Sequence, residues 1–363
     1  MGVALTRQLS SPVRIGSVGT AVPDFSIDQQ EVGRLVDMYY ENELSPRSFD
    51  VLKKVLAHPS IRKRHLSVAG PEELLSLKNE DPDVRMERFT KWSVDLAVGA
   101  ATRAMENAGV GPRDVRVLVV NTCTGYLCPG IGTYLVQRLG LSNSTKVHDL
   151  VGSGCAGAVP NLQAAGDMIA AEDEGVALSV SVEICTATYQ MGNDISLIVS
   201  NAIFGDGAAA AVVWKESNGL EFLDGKRLFA PEYRDDIRYT YKGGQLHNRL
   251  TPQLPKIVGE LIPPFVGGLL SQNSLGKNDI SHWLIHSGGA KILDNIQEGL
   301  GLSDADMDLS RSTLSQFGNM SSPTVLFELE EAVARGIGSD EYLLMVAFGA
   351  GMAVHGLLLQ NSG

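Results

Sequence analysis

Continuous apolar runs and helical stripes alternate along this chain, and the same succession is written twice. Residues 14–23 read as an opening strand and turn, and apolar positions at helical spacing follow over 29–40 and 93–108. Residues 114–120 then form an apolar run of strand length, followed by a helix that ends at Leu139-Gly140-Leu141-Ser142. Much later, 279–285 is again a strand, followed by a helix that ends at Leu300-Gly301-Leu302-Ser303. The echo continues. Gly154-Cys155 precedes a helix with Pro160 near its start, and Gly318-Asn319 precedes one with Pro323 near its start. Each unit closes on an apolar strand, at 176–182 and at 342–347. Proline is tolerated only in the first turn of a helix, where the backbone N–H has no intrahelical partner. Pro160 and Pro323 therefore put Cys155 and Asn319 at helix N-termini.

Self-similarity of this length predicts an internal duplication. The expected product is an α/β protein of two halves, 1–218 and 219–363. Each half has a mixed sheet with packed helices, and the sheets stack with a buried helix layer between them. Turn residues in 216–226 mark the seam. The polar stretch 232–244 reads as an irregular loop beside the active site.

Composition narrows the class. With 363 residues, 44% hydrophobic positions and 39 glycines, the chain is expected to be a compact enzyme and not a disordered or fibrous one. A net charge of −12 argues against nucleic acid or anionic membrane as a general partner, leaving at most a local basic patch at Arg62-Lys63-Arg64. The polar start, 1–12, has no apolar core of a signal peptide, and no run long enough for membrane insertion follows. A cytoplasmic protein is expected. The four cysteines Cys123, Cys128, Cys155 and Cys185 show no CxxC spacing, so free thiols are expected, with neither a disulfide framework nor a metal site.

Three short motifs carry the chemistry: Gly152-Ser153-Gly154-Cys155-Ala156-Gly157, His286-Ser287-Gly288-Gly289, and Gly318-Asn319-Met320-Ser321-Ser322. A free thiol has a pKa of about 8.5, and a helix N-terminus or a nearby imidazolium lowers it towards the nucleophilic thiolate. Cys155 has the first of these by sequence, and folding brings the second if His286 approaches. Glycines after His286 permit close approach of a substrate. Cys, His and Asn in this order suggest an acyl transferase that forms carbon–carbon bonds. Each also has a plainer reading: Cys155 as a small buried residue, His286 as a structural strand end, Asn319 as a helix N-cap. The other three cysteines, each by a strand end, read as packing or pocket lining.

These motifs resemble the type III polyketide synthases, the chalcone synthase-like branch of the thiolase superfamily, from Arg14 to Gly356. Phe204-Gly205-Asp206-Gly207-Ala208-Ala209-Ala210 and Val182-Glu183-Ile184 match as well. The resemblance implies a thiolase-like duplicated five-layer α-β-α-β-α fold and a homodimer in which 122–130 approaches the partner's cavity. It implies Cys155 as nucleophile, His286 and Asn319 as the pair that binds the malonyl thioester, and Phe204 as the gatekeeper. Glu183 matches the family's structural glutamate. Acyl-CoA and malonyl-CoA are the implied substrates, with no further cofactor. On the same basis Ser321 and Phe348 line the pocket, Phe348 within Ala347-Phe348-Gly349-Ala350-Gly351, where the family carries Gly-Phe-Gly-Pro-Gly.

The departures point to a bacterial member. Asn248 stands where plant chalcone synthases carry a second gatekeeper phenylalanine, and Cys123 and Cys185 replace pocket threonines. Cys128 replaces a methionine that reaches into the partner's site. The resemblance implies CoA-phosphate contacts from Lys54 and His58, with Lys53 compensating for a basic residue lost at Val51. A smaller Asn248 is expected to widen the cavity for an aliphatic or otherwise larger starter, with release as a pyrone or resorcinol-type ring. Two competing condensing enzymes fit less well. An initiating ketoacyl-ACP synthase carries His-Gln-Ala-Asn in place of His286-Ser287-Gly288-Gly289, and a hydroxymethylglutaryl-CoA synthase needs a glutamate base. A non-catalytic partner subunit is disfavoured by the intact Cys155, His286 and Asn319.

Overall fold

Apolar runs become strands of one sheet, and the stripes become helices on its faces. The computed structural model describes residues 12–216 and 218–362, so the polar start, apart from Pro12, lies outside the described residues. The chain opens with β1 (Arg14–Ala21), β2 (Ser26–Asp28), α1 (Gln29–Tyr40), α2 (Pro46–Leu56) and β3 (Lys63–His65). Then come α3 (Pro71–Ser76), the long α4 (Pro82–Ala108), β4 (Val115–Asn121), α5 (Ile131–Leu139), β5 (Lys146–Leu150) and α6 (Ala158–Ile169). β6 (Val176–Glu183), α7 (Ile195–Ile203), β7 (Gly207–Trp214) and β8 (Leu220–Phe229) follow. The remainder is β9 (Ile237–Lys242), β10 (Gln245–Leu250), α8 (Leu254–Gln272), β11 (Ile280–Ile285), α9 (Ala290–Leu300), α10 (Asp308–Phe317), α11 (Thr324–Arg335), β12 (Tyr342–Gly349) and β13 (Ala353–Asn361).

Nine strands pair in the order β11-β12-β13-β8-β1-β7-β6-β4-β5. Counted outwards from the middle, β1-β7-β6-β4 and β8-β13-β12-β11 repeat one topology. In both, the two outer strands are parallel and the pairs nearer the centre antiparallel. The two expected sheets are joined, through the residue pairs Arg14↔Glu221 and Ile15↔Leu220. Arg14 fastens this joint, donating to the Glu221 carboxylate (2.5 Å) and the Glu216 carbonyl (2.9 Å).

Side chains alternate between the faces of each strand. Val117 and Val119 of β4 face one core, and Leu118 and Val120 the other. Leu343, Met345 and Ala347 of β12 share that first core, while Leu344, Val346 and Phe348 face a third. Burial on both faces is why these strands read as unbroken apolar runs. The shared core encloses α6 and α11, through Leu162, Ala165, Ile169, Leu326, Leu329 and Ala332. Outer layers are α4 and α5 on one side and α8 and α9 on the other, giving five layers, α-β-α-β-α. The repeated Leu-Gly-Leu-Ser motifs end α5 and α9 with left-handed Gly140 (φ 68°) and Gly301 (φ 63°).

Two expectations change. Residues 232–244 are not an irregular loop, because β9 pairs with β10 in a hairpin. Gly243 (φ 60°) and Gly244 (φ 77°) supply the two positive-φ positions that a tight hairpin turn requires. The helix expected over 93–108 starts at Pro82, capped by Asp81, whose carboxylate accepts from the Asp83 N–H at 2.9 Å. Its first turns escape the apolar pattern because two of their three buried side chains are arginines: Arg88 pairs with Glu80 at 2.8 Å, and Arg85 donates to the Tyr189 carbonyl. Among the described residues no helix is long and apolar enough to cross a membrane.

Leu162 lies fully buried in the middle layer, against both halves. Leu162→Ala is expected to cost about 2–5 kcal/mol of stability, read as a lowered urea midpoint with an unchanged m-value.

Candidate active site

β5 delivers the chain to Gly152 (φ 95°) and Gly154 (φ 55°), backbone shapes that side chains resist. A 3₁₀ turn over Gly154–Ala156 then carries Cys155 into α6. The end of β12 lies on this turn. A Cβ on Gly349 would meet the amides of Ala156 (2.5 Å) and Cys155 (2.9 Å), and one on Gly154 would meet the Ala350 amide at 2.8 Å. Backbone touches backbone here, and only glycine fits.

His286 follows β11, its N–H donating to the Val346 carbonyl at 2.9 Å. The ring is 1% exposed. Phe348 meets it edge-on, with centroids 5.1 Å apart, and neither ring nitrogen has a partner among the described residues. Asn319 is not an N-cap, since Pro323 holds that position on α11. It pairs instead with Phe204 in an isolated parallel bridge: the Asn319 N–H donates to the Ile203 carbonyl (2.9 Å), and the Gly205 N–H to the Asn319 carbonyl (3.0 Å). The Asn319 side chain donates one N–H to the Gly288 carbonyl (3.2 Å) and accepts from the Ser321 N–H (2.8 Å). Ser321, at φ 62°, donates its hydroxyl to the Cys155 sulphur at 3.3 Å and lies 3.4 Å from the Cys123 sulphur. Beneath them Glu183 accepts from Ser322 Oγ (2.7 Å), Thr124 Oγ1 (2.8 Å) and the amide of Cys123 (2.9 Å).

Cys155, His286, Asn319, Phe204 and Phe348 line one cavity of about 600 Å³. Lys54, His58 and Lys291 line it too, beside Val51. A second cavity of about 530 Å³ takes its walls from Gly154, Cys123, Tyr126, Arg238 and Tyr239. The Cys155 turn thus stands between two spaces.

The electrostatics depart from the sequence expectation of a thiolate beside an imidazolium. Burial pulls the His286 imidazole down to about 3, so it is neutral. Burial pushes the Cys155 thiol up to about 12, against the downward pull of the Ser321 hydroxyl. Thiol and imidazole are therefore both neutral.

Other expected residues are spread more widely. Lys53 forms an ion pair with Asp37 of α1 and is not on the cavity wall. Asn248 does not line either large cavity. It is buried, donating to Ser200 Oγ of α7 at 2.9 Å, because an amide facing that hydroxyl keeps a partner that a cavity of alkyl groups would deny it. Cys185 is buried on a separate void of about 50 Å³ behind Phe204. Cys128 is exposed and lines none of these spaces. Lys291 escaped the sequence reading. Its signal was a lysine two residues beyond Gly289, in the first turn of a helix that opens on the cavity.

Residues 24–220 match the family described as FAE1/Type III polyketide synthase-like protein, and residues 224–362 match the chalcone and stilbene synthases, C-terminal domain. The chain is 30% identical to a 3,5-dihydroxyphenylacetyl-CoA synthase of Streptomyces toyocaensis, with 98% of this chain and 92% of that one aligned. It is 29% identical to the alpha-pyrone synthesis polyketide synthase-like Pks18 of Mycobacterium tuberculosis, over 95% and 90% of the two chains. The crystal structure of PKS-I from the brown alga Ectocarpus siliculosus superposes with a TM-score of 0.89 at 27% identity, covering 97% of this chain and 98% of that one. The fold and site define a thiolase-fold condensing enzyme. The chain belongs to the type III polyketide synthase family and is an acyltransferase.

Gly349→Ala is expected to push the Cys155 turn aside. Turnover should fall at least about tenfold, since small displacements at a reacting centre are costly, while the folded far-UV spectrum is kept. An unchanged turnover would show that the turn relaxes freely.

Proposed function

We propose that the protein loads an acyl group from an acyl-CoA onto Cys155 and extends it with malonyl-CoA, closing the chain to a pyrone or resorcinol-type ring. The observation that carries this reading is the convergence of Cys155, His286 and Asn319 on one cavity. During loading, the Cys155 sulphur attacks the thioester carbonyl, its proton passes to the imidazole, and the CoA thiolate leaves with that proton. His286 and the second N–H of Asn319 then donate to the thioester oxygen of malonyl-CoA. The carboxylate's C–C bond breaks, CO₂ leaves, and its electron pair is held as an enolate. The enolate carbon attacks the acyl-Cys155 carbonyl, and the thiolate is expelled as the new C–C bond forms. A neutral imidazole suits this work, because one ring nitrogen can accept the Cys155 proton while the other presents an N–H to the developing oxyanion. No cofactor beyond the CoA substrates enters these steps.

Lys54, His58 and Lys291 would hold the CoA phosphates at the cavity mouth, in place of the expected Lys53. Room for the growing chain would come from the second cavity, past Cys123, and not from Asn248. The larger starter therefore rests on that cavity. The use of CoA thioesters supports a cytoplasmic enzyme.

Cys155→Ala should abolish product yet keep malonyl-CoA decarboxylation, whereas Asn319→Ala should lose both. One donor to an oxyanion is worth about 10²–10³ in rate. Product from Cys155→Ala at a near-native rate would overturn the nucleophile assignment.

A homodimer fits the same reading. Tyr126, Val151 and Tyr241 line the second cavity while 64%, 63% and 73% exposed, which leaves that space bounded by apolar groups in water. Tyr126→Asp should shift sedimentation from dimer towards monomer. A native protein that sediments as an active monomer would refute the dimer.

A further inference from the structure

Behind the strand end that carries His286 lies a closed ring of hydrogen-bonding groups that none of the steps above uses. Glu328 of α11 is fully buried. Its Oε1 is 2.7 Å from Ser287 Oγ, and its Oε2 is 3.1 Å from Ser310 Oγ. Ser287 Oγ also lies 2.6 Å from the Ser310 carbonyl, and the Ile285 N–H donates to Ser310 Oγ at 3.1 Å. Counting protons decides the state of the acid. Were it ionised, two hydroxyl protons would serve three acceptor contacts, and a charge would sit buried with no cation against it. Were it neutral, the Glu328 O–H donates to Ser287 Oγ, which donates to the Ser310 carbonyl. Ser310 Oγ then donates to Oε2 and accepts from Ile285. Every contact has one donor and one acceptor.

The surroundings add no compensating charge. On the elements packed against α11, Arg311 pairs with Asp294, Asp308 with Arg335, His282 with Glu341 and Arg14 with Glu221. On α11 itself Glu330 accepts from Thr20 and Glu331 pairs with Arg335. His286 is neutral. Burial pushes the Glu328 carboxyl up to about 8, in agreement with the proton count.

Ser287 stands between the two groups that bind the enolate. His286 precedes it, and the carbonyl of Gly288, which follows it, is held by the Asn319 amide. We propose that Glu328 is a positioning residue kept as a neutral carboxylic acid, that it pins Ser287 and so aligns His286 with Asn319, and that its ionisation sets the alkaline limit of catalysis. This rests on the reading of His286 and Asn319 as the enolate-binding pair, which the Asn319→Ala decarboxylation assay tests separately.

Glu328→Gln keeps the neutral pattern, with its amide N–H donating to Ser287 and its oxygen accepting from Ser310, but cannot ionise. With the native enzyme, malonyl-CoA decarboxylation should fall about tenfold per pH unit above the limit, as for one ionisation. Glu328→Gln should stay active at neutral pH and remove that fall. An alkaline limb identical to the native one would overturn the proposal, as would a folded but inactive Glu328→Gln, which would mean the carboxylate is required. Should that variant not fold, Ser310→Ala serves: it takes a hydroxyl donor from the ionised form and leaves the Glu328–Ser287 contact in place, so the limb should move to higher pH. A substrate-independent check is the infrared C=O band of a protonated carboxyl, expected in the native protein at neutral pH, lost as the pH rises through the limit, and missing from Glu328→Gln. A native spectrum at neutral pH with no protonated carboxyl that depends on Glu328 would refute the neutral acid whatever the substrate.

Discussion

The site depends on a place where backbone rests directly on backbone. The turn that carries Cys155 comes from one half of the duplicated fold, and the end of β12 from the other. Glycines at 154 and 349 let them touch without a side chain between. A second tie, the bridge between Phe204 and Asn319, again joins the two halves. Cys155 belongs to the first repeat, and His286 and Asn319 to the second. These contacts, with the Ser321 hydroxyl on the Cys155 sulphur, hold the nucleophile against the groups that stabilise the carbanion. The helix layer beneath, α6 against α11, makes the approach rigid, because a close-packed interior does not yield by fractions of an ångström without cost.

The same burial that gives rigidity removes free charge. The imidazole and the thiol are both neutral at rest, and the Glu183 carboxyl is encircled by hydroxyl and amide donors. An unpaired charge here would cost several kcal/mol. Charge enters the cavity with the substrate and finds oriented dipoles already in place. The enzyme is thus built to receive negative charge, not to store it.

Much of this was legible in the sequence because the signals are local. The repeated strand–helix units, the prolines at helix starts and the glycines beside Cys155, His286 and Asn319 each act within a few residues of themselves. What escaped notice depends on partners far apart in the chain. Lys53 looks free until α1 brings Asp37 to it, and Asn248 looks like a cavity wall until α7 supplies Ser200. Glu328 meets Ser310 eighteen residues away and Ser287 forty-one away, a separation that no periodicity reports. The hairpin was missed for another reason: its strands are mostly polar, and only the Gly243-Gly244 pair announces the turn.

That hairpin runs from one cavity to the other. Its base, the Ile237↔Leu250 pair, borders the space that holds Cys155, while Tyr239, Tyr241 and Leu246 nearer the tip border the space beyond. Each residue added to a strand advances it by about 3.4 Å. Insertion of a residue pair at the glycine turn would therefore reshape the distal chamber and leave the Ile237–Leu250 rung, and the loading chemistry beside it, where they are. Architecture of this kind separates the dimension that evolution can tune from the one it must keep, so related chains could diverge in product while sharing one reaction.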